Sequence, residues 1–194
     1  MKRIILGALL GTAAIGAATA AAAQTTASDV AVVYTGTDVK ISPVQGLDAP
    51  AFSAAASDAN QFQIAAGRLS LTRSERSDVK DYAKGIISQS EVAQKTLMAS
   101  LSNDQRKIAK PTSSLSADRA SMLRMLEKTP KGSFDNLYLR QSAQVQQSAW
   151  ASYKGYSQDG TDQPLKQVAG NGVALIEQQL RQGHALLPAS LSTD

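Results

Sequence analysis

The chain predicts an all-α fold, an antiparallel four-helix bundle with an extra short helix between helices 2 and 3. Apolar residues recur at steps of three and four over four long stretches, mostly short polar corners separate them, and no stretch makes a convincing sheet. The clearest stretch is Ser77 to Leu101, where Val79, Ala83, Ile86, Ser90, Ala93, Leu97 and Leu101 form one stripe down a helix. Such a stripe is unstable against water and requires partner helices. At its middle, where the beat calls for an apolar residue, stands Ser90.

The elements follow in order. Phe52, Ala55, Ala59, Phe62, Ala66 and Leu69 predict a first helix from Ala51 to about Thr72, its alanines permitting close approach of a neighbour. Arg73 to Arg76 is a polar corner, with Ser77 placed to cap the second helix and Asp78 where the positive end of the helix dipole favours an anion. Pro111 interrupts the polar stretch Asn103 to Ser113, and a short helix follows from Ala117 to Glu127, capped by Ser116, with Met122, Leu123, Met125 and Leu126 as core. Pro130 and Gly132 end it, and Ser133 opens the third long helix, with Phe134, Tyr138, Val145, Ala149, Ser152 and Tyr156 on the beat to Ser157. After Gly160, Thr161 or Asp162 caps the fourth, Pro164 sits in its first turn, and Leu165, Val168, Val173, Ile176, Leu180 and Leu187 supply apolar surface before Pro188. Gly170 and Gly172 inside this helix imply a bend or a tight contact.

The N-terminus predicts an address. Lys2 and Arg3, the apolar run Ile4 to Ile15 and the small-residue site Ala21-Ala22-Ala23 read as a secretory signal peptide over residues 1–23. The rival is a retained anchor, weakened by the Ala, Gly and Thr content of the run. Residues 24–50 then read as an extended arm or linker of low order, 51–188 as the bundle, and 189–194 as a tail. The expected location is the periplasm or the outer envelope, with any membrane association not through a transmembrane helix of the mature chain. Cysteine is absent, which removes disulfides, thiolate metal sites and a Cys nucleophile. Of 20 basic residues the signal carries two, which leaves a nearly neutral mature chain against 16 acidic ones, and its scattered charge gives no nucleic-acid partner.

The chemistry of helical bundles narrows the function further. A carboxylate-bridged metal pair requires inward Glu residues and Glu-x-x-His motifs, which this chain lacks. Asp58, Asp78, Asp81, Glu91, Asp135 and Glu177 fall mostly off the apolar stripes and read as a solvated face. His184 is the one histidine, near a helix end where a cation is favourable, and without partners it makes neither a metal site nor a triad. No catalytic or metal-ligating residue and no cofactor is therefore assigned. Trp150, Tyr153 and Tyr156 crowd two turns and offer either core packing or an aromatic surface for sugar rings. The glutamines of the last two helices, Gln141, Gln144, Gln146, Gln147, Gln178, Gln179 and Gln182, read as helix formers on a wet face, and only inward ones need explaining.

The motifs AAGRLSL at Ala65 to Leu71, VKDYAKGII at Val79 to Ile87, FDNLYL at Phe134 to Leu139 and LKQVA at Leu165 to Ala169 resemble, in order and spacing, the exported bacterial family called domain of unknown function 4142. The resemblance implies a ferritin-like helical bundle, often labelled a predicted outer-membrane protein. The family pattern carries an Asp-His pair in the second helix and one His in each of the third and fourth. On this chain those positions hold Gln89 and Ser90, Gln146, and Gln179, so every family histidine is replaced. Ser90, Gln146 and Gln179 are expected to form an internal hydrogen-bonded cluster in their place. The function expected is that of a non-enzymatic exported bundle, a binding or stress-related accessory protein with a protein or cell-wall partner. The alternatives are a metal-binding ferritin-like protein or oxidase, and a polysaccharide binder using the three aromatics.

Overall fold

A computed structural model of the chain describes residues 41–102 and 106–188. Among them are five α-helices and no strand: α1 (Ala49–Arg73), α2 (Ser77–Ser100), α3 (Ala117–Lys128), α4 (Lys131–Asp159) and α5 (Gln163–Ala185). The expected signal sequence, the first part of the expected arm up to residue 40 and the tail 189–194 lie outside the described residues.

Local chemistry accounts for the helix ends. Capped by Asp48, α1 starts at Ala49, two residues before the expected Ala51, because Asp48 Oδ1 accepts from Ala51 N at 2.7 Å and Pro50 fits the first turn, where a missing N–H costs nothing. Ser116 and Asp162 cap α3 and α5, accepting from Arg119 N and Leu165 N. Ser77 does not cap α2, whose cap position is Arg76. Asp78 serves that end instead, accepting from Val79 N at 2.8 Å and pairing with Arg76 at 2.7 Å, and the guanidinium holds its carboxyl below the usual carboxylate range. The third long helix begins at Lys131, behind Pro130, rather than at Ser133.

Four helices are long, and each packs on two of the others: α1 and α5 each lie against both α2 and α4. Phe52 near the start of α1 stacks on Tyr156 near the end of α4, centroids 4.3 Å apart, while Arg73 at its end covers Phe134 near the start of α4 at 5.2 Å. Those two contacts make α1 and α4 antiparallel. Arg76 donates to Leu186 O at 3.0 Å, so α2 and α5 are antiparallel too. The connection from α2 to α4 therefore runs the length of the molecule, and α3 within it lies on α1 and α4. Asp58 holds this connection by accepting from Ser116 N and Oγ, both at 2.8 Å, and Arg73 closes it by donating to the carbonyls of Glu127 and Thr129.

The core has two apolar layers. One end holds Phe52, Leu97, Leu101, Trp150, Tyr156, Leu165 and their neighbours; the other holds Phe62, Val79, Ile86, Leu126, Phe134, Tyr138 and theirs. The helix faces agree with the beat except at a few positions. Ala55 is exposed and Ala56 takes its place inside, and Met125 stands in solvent while Leu126 fills the core. The end of the arm is docked rather than loosely ordered, since Ile41 and Leu47 pack on the first layer and Val44 N donates to Ala151 O at 2.9 Å. Gly155 makes that approach available, because a Cβ there would stand 1.7 Å from Val44 O.

Two expectations follow from this packing. Ile86→Asp puts an unpaired charge where the side chain is 1% exposed and unfolds the protein, whereas Lys84→Asp, on the solvated face, shifts stability by no more than about 0.5 kcal/mol in denaturant melts. Gly155→Ala displaces the docked arm at a cost of about 1–3 kcal/mol, and limited proteolysis then cuts near Val44 in the variant and spares the parent.

Candidate functional site

Between the two apolar layers lies a layer of neutral polar side chains contributed by all four long helices. Gln63 on α1 donates through Nε2 to Ser142 O at 2.9 Å and accepts from Ser142 Oγ at 2.7 Å. On α4, Gln146 Nε2 donates to the Tyr82 hydroxyl of α2 at 3.0 Å, and that hydroxyl in turn meets Ser142 Oγ at 3.4 Å and Gln179 O at 3.5 Å. Gln179 Nε2 on α5 returns to α2, donating to Gln89 Oε1 at 2.8 Å. A chain of amide and hydroxyl hydrogen bonds thus runs from α1 through α4 and α2 to α5, spanning the two turns of α2 between Tyr82 and Gln89.

Ser90, Gln146 and Gln179 are 4%, 2% and 6% exposed, and all three line a cavity of about 40 Å³ together with Asn60, Gln63 and Gln89. Gln89, Ser90, Gln146 and Gln179, the four positions singled out by the resemblance, therefore all line one small space. The expected cluster takes a different form, however. The Tyr82 hydroxyl links the Gln146 side chain to the Gln179 backbone carbonyl, the Gln179 side chain turns to Gln89, and Ser90 joins them as a wall residue of the cavity. Gln146 Oε1 is buried without a hydrogen-bond partner among the described residues.

This donor set does not fit a carboxylate-bridged metal pair. Its members are amides and hydroxyls, largely engaged with one another, and no charged side chain lines the cavity. Among the described residues no group of three or more His, Cys, Asp or Glu is placed to hold a metal ion. His184 lies half-buried in the last turn of α5.

The aromatic surface is corrected by burial. Trp150, Tyr153 and Tyr156 are core residues at 9%, 4% and 0% exposure, so they offer no platform for sugar rings. Tyr153 and Tyr156 enclose Phe52, and Trp150 Nε1 donates to Glu177 Oε1 at 2.9 Å. Glu177 and Asp58 are accordingly not mere surface charges; each fixes a partner on another segment. Nor are all the glutamines wet: Gln141, Gln146, Gln147 and Gln179 are buried, while Gln144, Gln178 and Gln182 are exposed. Gln63, Tyr82 and Ser142 carry the layer without having stood out in the sequence. Tyr82, one turn before Ile86 and three residues after Val79, carried a usable signal, since it shares their stripe. Gln63 and Ser142 had none, being polar residues beside a stripe on helices buried over more than one face.

Burial pushes the Tyr82 hydroxyl upward against the opposing bonds from Ser142 and Gln146, and burial carries Tyr138 well above its ordinary range. Tyr153 is pushed up to about 12 by burial, against a hydrogen bond with Asn60. Since its folded value lies above the unfolded value of 10.0, its stabilising contribution is complete below pH 10 and fades as pH rises toward 12. Denaturant melts should lose about 2–3 kcal/mol across that window, with Tyr153→Phe flattening the slope.

No curated protein and no solved structure matches the chain. The model of one family, the domain of unknown function DUF4142, matches residues 37–186, a span that takes in all five helices and every residue of the polar layer. The chain belongs to that family.

Proposed function

We propose that this chain is an exported, non-enzymatic helical-bundle protein of the bacterial periplasm or envelope, with a ferritin-like arrangement of its four long helices and a binding or stress-related accessory role. The arrangement is supported by antiparallel packing of α1 on α4 and of α2 on α5, and by one long connection between α2 and α4, the pattern of ferritin-like bundles. Export rests on Lys2, Arg3, the apolar run after them and Ala21-Ala22-Ala23. No helix of the described residues is long and apolar enough to cross a membrane.

One observation carries the functional part. Near mid-height, where bundles of this kind build their chemistry, Gln63, Ser142, Gln146, Tyr82, Gln179 and Gln89 are joined in one hydrogen-bonded network without a carboxylate or an imidazole. Such a network orients and recognises by hydrogen bonding; it holds no group that exchanges protons near neutral pH and no anionic ligand for a hard metal ion. A binding role suits it and a redox or hydrolytic one does not.

The test is metal content by elemental mass spectrometry on untagged protein isolated from the periplasm, before and after incubation with Fe, Mn, Cu and Zn. The expected result is well below one metal per chain in every case, with the mature N-terminus at Gln24. Stoichiometric metal that survives dialysis overturns the non-enzymatic reading.

A further inference from the structure

A groove of about 580 Å³ runs along the seam between the second half of α2 and the first half of α5, with Val92, Val168 and Leu175 among its apolar lining. It shares a wall with the polar cavity, since Gln89, Ala93, Tyr153, Gly172 and Leu175 line both. We infer that groove and cavity are two parts of one binding site for an uncharged amphiphile, whose hydrogen-bond-donating end enters the cavity and whose apolar body lies in the groove. This inference rests on the binding role proposed above and names the class of ligand.

Three features support it. The first is the buried acceptor: the Gln146 side chain lines the cavity, its Nε2 is engaged with Tyr82, and its Oε1 has no partner among the described residues. An acceptor left so is stabilised by any group that brings it a donor. The second is charge. No ionic side chain lines either space, so a charged head would be desolvated without a counter-charge, and an uncharged one is not penalised in that way.

The third is the seam itself. The side-chain hydrogen bonds between α2 and α5 lie at and before Gln89, where Gln179 meets Gln89 and Tyr82. From Ser90 to Ser100 no hydrogen bond or ion pair joins the two helices among the described residues, and Val92 stands 63% exposed at the groove. Gly172 brings α5 close to α4: a Cβ there would stand 2.4 Å from the Tyr153 ring, so this ring, which lines both spaces, lies against the α5 backbone with no side chain between. The groove has the volume of a small-molecule pocket, and the cavity behind it takes only a hydroxyl or an amide.

The test compares three probes of equal chain length on the purified protein by titration calorimetry: 1-octanol, its methyl ether and octanoate. The alcohol is expected to bind one per chain, at least about tenfold more tightly than the ether, which lacks the donor, and than octanoate, which is charged. Gln146→Leu keeps the volume and removes the acceptor, and should erase the difference between alcohol and ether. Val92→Asp, on an exposed position, should weaken both while leaving the circular dichroism spectrum unchanged. Absence of binding, equal binding of alcohol and ether to the parent, octanoate binding as tight as the alcohol, or a preference that persists in Gln146→Leu each overturns the inference. If octanol fails to bind a protein that also takes up no metal, the ligand class is wrong and the non-enzymatic reading stands; stoichiometric metal removes that reading instead.

Discussion

Pairing of neutral polar groups at the centre of the core is the constraint on which the rest of the structure depends. The apolar layers above and below are held by a force without direction, and either would tolerate a helix sliding along its neighbour. The layer between them would not. A shift of one turn, about 5.4 Å, would separate Gln63 from Ser142 and Gln146 from Tyr82, leaving buried donors and acceptors unpaired at about 1–3 kcal/mol each. Register is thus set by a few amides and hydroxyls, and the apolar residues supply most of the stabilisation.

Backbone approach delivers those groups to their places. A Cβ on Gly183 would stand 2.8 Å from the Tyr82 hydroxyl, so its absence lets that hydroxyl reach the α5 backbone and accept from Gln146. Gly172 does the same for the ring of Tyr153. At the ends, polar side chains tie segments that apolar packing alone would leave free. Arg106 sits 3.1 Å from Asp162 as an ion pair without hydrogen-bond alignment and donates through Nη2 to Ser100 O, joining the long connection to the cap of α5. Both partners of that pair are largely covered, which distinguishes it from the exposed pairs Arg68–Glu91 and Lys84–Asp81.

The helices were legible because their boundaries are local events. Asp162, Pro164 and Ser116 act within a turn of themselves, and the stripe of α2 is buried at Val79, Ala83, Ile86, Leu97 and Leu101. Ser90 was legible as an interruption of that stripe. What the sequence could not reveal was which faces of α4 are covered, since its buried residues include Gln141, Ser142, Gln146 and Gln147 beside Tyr138 and Trp150. A helix covered by α1, α3, α5 and the docked arm has no single wet face, so the rule that glutamine marks solvent fails there. Trp150, Tyr153 and Tyr156 were ambiguous for the same reason, because an aromatic cluster on a covered helix and one on an open face read alike. The excuse offered for two helix glycines divided: Gly172 has its close contact, while a Cβ on Gly170 would meet open space and nothing in the structure explains that glycine.

The neutral layer also explains why the α2–α5 seam is tight in one half and open in the other. Tyr82, Gln89 and Gln179 place their hydrogen bonds at and before mid-height, and Arg76 adds its bond to Leu186 O beyond them. Past Gln89 the two helices present Val92, Ala93, Val168 and Leu175 around a groove, where attraction between them falls with any gap because dispersion is short-ranged. Imidazoles at the positions of Ser90, Gln146 and Gln179 would titrate near neutral pH and make the height of this division depend on protonation. With amides and a hydroxyl there, no such titration acts on the division, and burial carries the Tyr82 hydroxyl further above neutrality. The binding proposed at this seam would therefore answer to the shape and donor content of the ligand, since proton concentration near neutrality has no group in the layer on which to act.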